Sequence, residues 1–386
     1  MWTMAKEIQA DPRLKSEIRK FGKFDVKGCY ACGSCVVSCP ISGDSSSFPR
    51  KSISYAQIGL KKSLLENLDP WLCYYCGDCS TTCPQKTEPG EAMMTLRRYL
   101  TSRYDWTGLS SKFYKSKLWE IASLLFVAAI VLVLAVHFHG PLVTGRVELN
   151  TFAPVELVHT FDMILLGVLS FFLLSNVARM WWFTMRGSNP KIPLFLYLTE
   201  IKTLIWHAVT QIQFGKCVNK LRWIKHWLLT SGYVLMFTMI IGFLWWFQTD
   251  NIYPIYHPQR WLGYFAAGFL IVFSAEILIS RGRKKEEIHK FSHSTDWLFP
   301  ALLLLTSVSG IAVHLFRYLG LPLATYYTYV THLAIAVPML VIEVPFGKWA
   351  HLAYRPMAMY FHAVKKRADE LQATKEANLG LAQPTT

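Results

Sequence analysis

Six long apolar stretches limit what this chain can fold into: Leu118 to Phe138, Leu157 to Phe183, Trp223 to Phe247, Trp261 to Ser280, Trp297 to Tyr318 and Tyr326 to Lys348. At about 1.5 Å of rise per residue, each is long enough for the roughly 30 Å of hydrocarbon in a bilayer. No amphipathic helix or strand pattern alternates with them, so a buried soluble core does not account for them. Aromatic residues gather where stretches end, as at Trp181, Trp182, Phe183 and at Trp245, Trp246, Phe247, which suits the two water interfaces of a membrane. With 52% hydrophobic and 17% charged residues in 386, an ordinary water-soluble enzyme is excluded.

The formal net charge is +15, a balance that suits either nucleic acid or a membrane surface. The positions of the cations select the membrane. Arg186, Lys191, Lys202, Lys216, Lys220 and Arg222 follow the second stretch, and Arg281, Arg283, Lys284, Lys285 and Lys290 follow the fourth. The other connections offer little beyond Arg146. Positive loops stay inside, which makes this a multi-pass protein of the cytoplasmic membrane with both termini cytoplasmic. No signal-peptide core precedes the polar start of the chain, in keeping with that orientation. Nucleic acid is not expected as a partner. Between the second and third stretches, residues 192–214 place Leu194, Leu198, Ile201, Ile205 and Ile212 on one helical face, the pattern of a helix lying on the inner membrane surface. The tail from Ala368 onward is polar and is expected to be disordered.

The first 110 residues are polar and cysteine-rich. Cys29, Cys32, Cys35 and Cys39-Pro40 form C-x2-C-x2-C-x3-C-P, and Cys73, Cys76, Cys79 and Cys83-Pro84 repeat it. In such runs three thiolates wrap one face of a [4Fe-4S] cube while the fourth completes the other cluster. The spacing therefore assigns Cys29, Cys32, Cys35 and Cys83 to one [4Fe-4S] cluster and Cys73, Cys76, Cys79 and Cys39 to the second. Structural zinc, the rival, uses paired C-x2-C knuckles and has no role for the third cysteine or the Cys-Pro ending. Apolar residues between the runs, among them Ile53, Ile58, Leu60, Leu64 and Leu65, recur at helical spacing. The ninth cysteine, Cys217, has no partner in either run and reads as a free thiol.

Imidazoles are costly in hydrocarbon unless paired or ligated, so histidines at span depth are candidate haem ligands. His226 near the inner start of the third stretch and His351 at the inner end of the sixth share one level, as an inner bis-His haem b requires. His159, His314 and His332 share an outer level, and two of them are candidates for an outer haem. His137, His139, His207 and His257 read as ordinary interfacial residues. Haems and clusters move single electrons, so a quinol is the natural partner in the bilayer, with Glu276, Glu343 and Asp162 as candidate proton acceptors. No residue pattern locates the quinone site.

Cys29 to Pro40, Pro49-Arg50, Trp71-Leu72-Cys73 to Pro84 and Leu96-Arg97 resemble the C subunit of heterodisulfide reductase. His332 through Pro345-Phe346-Gly347-Lys348-Trp349-Ala350-His351 is similar to the last helix of the cytochrome b family of nitrate reductase gamma and heterodisulfide reductase E, in which both histidines ligate haem. Met236 stands near the position of a further family histidine and joins His159 and His314 as a candidate second ligand of the outer haem. The fusion resembles the C subunits of the quinone-interacting membrane-bound oxidoreductase complexes of sulfate-reducing prokaryotes. That resemblance implies two [4Fe-4S] clusters, two haem b, menaquinone as substrate, soluble flavin and iron-sulfur partner subunits, and adenylylsulfate reductase downstream.

The expected architecture is therefore all-α. An α-helical ferredoxin domain covers 1–110, a six-helix transmembrane cytochrome b bundle covers 111–355, and a cytoplasmic tail covers 356–386. The expected function is a quinone-linked oxidoreductase subunit that is inactive alone. The alternatives are the membrane subunit of a heterodisulfide-type reductase and a haem-free, cluster-bearing anchor.

Overall fold

The computed structural model describes residues 9–43, 47–188, 190–216, 219–284 and 286–380. Cys217 lies outside the described residues. All described elements are helices. Six are long and apolar enough to cross a membrane: Lys117–Phe138, Val155–Met185, Lys220–Phe247, Pro258–Arg283, Ser294–Tyr318 and Pro322–Glu343. The chain is a multi-pass membrane protein.

Two compact units form. One gathers residues 1–111, 175–220 and 351–386, so the cysteine-rich segment packs with the C-terminal end of the second span, the connection after it and the C-terminal helix. Its short helices include Leu14–Arg19, Arg50–Gln57 and Lys61–Leu65, gathered around the long helix Pro89–Tyr104. Leu14, Ile18, Ile53, Leu64, Met93 and Leu96 are fully buried there, each stabilising the fold by about 1.5–3 kcal/mol relative to exposure. Phe21 meets Tyr99 edge to face at 5.6 Å. Glu91 and Arg98 form a buried ion pair at 3.3 Å on one face of Pro89–Tyr104.

The other unit holds residues 112–174 and 221–350. In it the sixth span packs against the first and the fifth, and the fifth packs against the fourth. At one end Tyr326 donates its hydroxyl to the Val143 carbonyl (3.0 Å) and accepts the Glu148 N–H (3.0 Å), tying the connection between the first two spans to the sixth. At the other end Asp296 takes Lys348 at 2.6 Å and Arg281 at 3.8 Å.

Three details differ from the sequence expectations. The sixth span ends at Glu343 instead of Lys348, because Pro345 follows and the Glu343 carboxylate accepts the Lys348 N–H at 2.8 Å. The interfacial segment is not one helix: Leu194–Thr199 and Ile201–Thr210 precede a 3-10 turn, Ile212–Lys216, with Gln211 left-handed at φ 51°. The tail expected to be disordered from Ala368 continues the helix His351–Asn378. Tyr354, Ala358, Phe361, Val364 and Ala368 recur at spacings of three and four and are buried, an apolar stripe that carries the helix past the point where polar composition suggests it stops.

Candidate metal centres

The two cysteine runs fold alike. In each, the residue before the second cysteine is left-handed, Ala31 at φ 55° and Tyr75 at φ 54°, and the glycine after it is too, Gly33 at 91° and Gly77 at 94°. Side chains rarely adopt such angles, which explains glycine at the second position. The chain then enters a one-turn helix, Ser34–Val37 or Asp78–Thr81, that carries the third cysteine. This curl turns backbone N–H groups toward sulfur: the Tyr75 N–H reaches Cys73 Sγ at 3.3 Å. The two turns are joined by the Thr82 hydroxyl donating to Ser38 Oγ at 2.9 Å.

The two runs lie close enough to act on each other: Cys29, Cys32 and Cys83 act on Cys35, and Cys73 and Cys76 act on Cys39. Burial pushes both thiols up to about 11, and the neighbouring sulfurs push them further in the same direction. Cys39, Cys73, Cys76 and Cys79 line one common space, together with Phe48, Gly90 and Met93. None of the eight described cysteines is joined in a disulfide. Among the described residues no three His, Cys, Asp or Glu side chains close on one point as they would round a single ion. The two C-x2-C-x2-C-x3-C-P runs fit a polynuclear cluster better than zinc, which pairs two C-x2-C knuckles.

The quartets differ in setting. Cys32 is exposed, and Tyr30 and Val37 beside it are 76% and 90% exposed. Cys73 and Cys79 are only 7% and 8% exposed. Tyr75 donates its hydroxyl to Glu91 at 2.6 Å, so the buried Glu91–Arg98 pair also braces the second loop.

The candidate haem histidines are held unequally. His332 Nδ1 meets Ser309 Oγ at 2.9 Å. Gly310 leaves room for its ring: a Cβ there would lie 3.3 Å from His332 Cε1. A histidine fixed through Nδ1 and presenting Nε2 is the usual arrangement of an axial ligand. His314 has both nitrogens engaged, Nδ1 with Arg260 at 3.2 Å and Nε2 with Tyr264 at 2.7 Å. The His159 ring lies tilted against Trp245 with centroids 4.1 Å apart, and its Nε2 is 3.3 Å from the Ile241 carbonyl. His226 lies early in Lys220–Phe247 with Thr230 one turn on, and His351 opens His351–Asn378. Met236 lies within Lys220–Phe247. Of the acidic candidates, Glu276 is paired with Lys225 and Glu343 caps Lys348, while Asp162 lies in the second span.

A family model described as a 4Fe-4S dicluster domain matches residues 25–87, and one described as the gamma subunit of nitrate reductase matches residues 92–192. The chain fuses these two modules. It is also 28% identical over 99 residues to a protein of Archaeoglobus profundus described as similar to the C subunit of heterodisulfide reductase, a match covering 25% of this chain and 53% of that relative. The chain thus spans about half the length of the curated relative it matches. No solved structure matches it.

The dicluster match takes in all eight cysteines. The gamma-type match covers the first two spans and includes His159, whereas the sequence resemblance rested on the last span. Together the modules make the chain an electron-transfer protein of the membrane with an iron-sulfur cluster domain. Sequence reasoning missed three features of these centres. Gly310 has no motif to announce it. Glu120 sits buried in the first span with both carboxylate oxygens lacking a hydrogen-bond partner; a lone acid at the start of an apolar run looks like a boundary residue. Arg97 and Arg355, 258 positions apart in sequence, both flank the segment that carries Cys73.

Proposed function

We propose that this chain takes electrons from menaquinol in the membrane and delivers them to soluble flavin and iron-sulfur subunits of the same complex, toward adenylylsulfate reductase in dissimilatory sulfate reduction. One observation carries the reading: a dicluster domain with two four-cysteine runs stands in one chain with six membrane spans. Cys29, Cys32, Cys35 and Cys83 hold one [4Fe-4S] cluster, and Cys73, Cys76, Cys79 and Cys39 hold the other. His226 and His351 are the proposed ligands of an inner haem b. His332 is one ligand of an outer haem b, with His159, His314 and Met236 the candidates for the second; the double engagement of the His314 ring favours the other two. When bound, clusters and haems supply the one-electron chemistry that links a two-electron quinol to a soluble acceptor.

The chain's own groups hold and orient these centres and take up the protons that quinol oxidation releases, for which Asp162, Glu276 and Glu343 stand at membrane level. The cytoplasmic placement of both termini rests on the positive loops, which also offer a surface for acidic partner subunits. His226→Ala and His351→Ala test the cytochrome reading: each should abolish the inner b-type absorption while the cluster absorption stays. A haem-free anchor predicts unchanged pigment. A second reading, the membrane subunit of a thiol-disulfide reductase, draws on the name of the curated relative. Quinol-dependent reduction of a disulfide by the assembled complex would select it.

A further inference from the structure

The segment Pro70–Tyr74, which carries Cys73 of the second quartet, is bracketed by two guanidinium groups. Arg97 donates Nε–H to the Pro70 carbonyl at 2.6 Å and lies 5.8 Å from the Trp71 ring centroid. Arg355, from the helix His351–Asn378, lies 3.6 Å from the centroid of the Tyr74 ring, and Tyr74 in turn stacks on Phe214 at 5.2 Å. Both arginines keep a buried Nη2 without a hydrogen-bond partner, and among the described residues neither pairs with an Asp or Glu. Two like charges set side by side with enclosed nitrogens are unfavourable unless an anion compensates. The anionic element of the segment they bracket is Cys73, with Arg97 bonded three residues before it at Pro70 and Arg355 over the ring of Tyr74, the next residue.

Among the described residues the first quartet shows no such pair. The cation beside it is Arg50, which donates to the Ala31 carbonyl at 3.3 Å through an exposed bond that water screens.

We propose that Arg97 and Arg355 set the reduction potential of the second cluster, raising it above that of the first by placing two positive charges, each with an enclosed Nη2, along the segment that carries Cys73. Reduction adds one electron and no proton to the cluster, so the reduced form carries one more negative charge, which two cations with enclosed Nη2 atoms stabilise more than the single Arg50, with its exposed bond, stabilises its neighbour. The inference rests on the reading that the second quartet holds a [4Fe-4S] cluster. It makes the two clusters unequal: the enclosed one holds the electron, and the exposed one, flanked by Tyr30 and Val37, is the weaker holder. Arg355 follows the last membrane span in sequence, so the C-terminal helix takes part in tuning a cluster whose ligands lie at the other end of the chain.

The test is an EPR-monitored redox titration of the purified full-length protein with dithionite and mediators. Cys32→Ser, which perturbs a ligand of the first quartet, assigns the two reduced-cluster signals. Arg355→Gln should shift the second-cluster midpoint to lower potential and leave the first in place, and Arg355→Lys, which keeps the charge, should restore most of the shift. Arg97→Gln should act in the same direction, but it also removes the bond to Pro70, so Arg355 is the decisive position. An unchanged second midpoint in Arg355→Gln, with both signals at full intensity, overturns the proposal alone. A Lys variant as low as the Gln variant, or an equal fall of both clusters, also overturns it. Absence of a second signal in the unaltered protein overturns it together with the cluster reading beneath it.

Discussion

Cys39 belongs by sequence to the first run and by position to the second quartet, lining the same space as Cys73, Cys76 and Cys79. Cys39→Ser should therefore weaken or remove the second cluster and spare the first, and Cys83→Ser should do the reverse; iron content and the two EPR signals read the outcome. Loss of the first cluster in Cys39→Ser would refute the crossing. The crossing is proposed from the spacing, because three cysteines at intervals of three span one face of a cube and the fourth points away. Two other residue-level features were not. The Glu91–Arg98 pair is a helical i, i+7 pair whose burial depends on what packs over it, so Arg98→Met, which strands the Glu91 charge, should cost about 3–5 kcal/mol in unfolding and lower the temperature at which cluster absorbance bleaches. His289, in the connection between the fourth and fifth spans, is buried, and burial first, then Arg281, Arg222 and Lys348, lower it to about 4. The folded state thus binds fewer protons than the unfolded one, in which an ordinary His titrates near 6.5. The stability that this neutral imidazole contributes is complete above about pH 6.5 and is lost as pH falls toward 4. A thermal melt series should show His289→Asn with a shallower fall than the unaltered protein over that window; parallel curves would contradict the assignment.

At the level of elements, the spans were readable because membrane crossing demands a length and an apolarity that few other structures share. Their ends were less so. Lys348 reads as the last residue of a span by composition, yet the helix stops at Glu343, where a carboxylate satisfies a following N–H and a proline forbids continuation. The helix His351–Asn378 was missed because its apolar stripe is short, and a polar average over the last residues outweighs five buried positions. The interfacial helix broke at Gln211 for a reason confined to one backbone angle, which no periodicity reports. The one-turn helices after Gly33 and Gly77 contain too few residues for any hydrophobic pattern and were implied only by the cysteine spacing.

For the whole molecule, the fusion of a dicluster domain with membrane spans was legible in both halves, and the family matches fall on both. What composition does not reveal is how the chain partitions: residues 175–220 and 351–386, which flank spans in sequence, pack with the cysteine-rich segment. Sequence order separates these pieces, whereas burial of Trp71, Tyr104 and Tyr354 against one another joins them, with ring centroids 4.9 Å apart for Trp71 and Tyr354 and 5.6 Å for Tyr104 and Tyr354. The central claim is that electrons enter from a membrane quinol and reach the clusters of this chain. Its most direct test is anaerobic addition of a menaquinol analogue to the purified protein, followed by visible and EPR spectra before and after dithionite. The account predicts reduced b-haem bands and at least one reduced-cluster signal from the quinol alone. Intact cluster absorption with no haem bands, and clusters that respond only to dithionite, would contradict it.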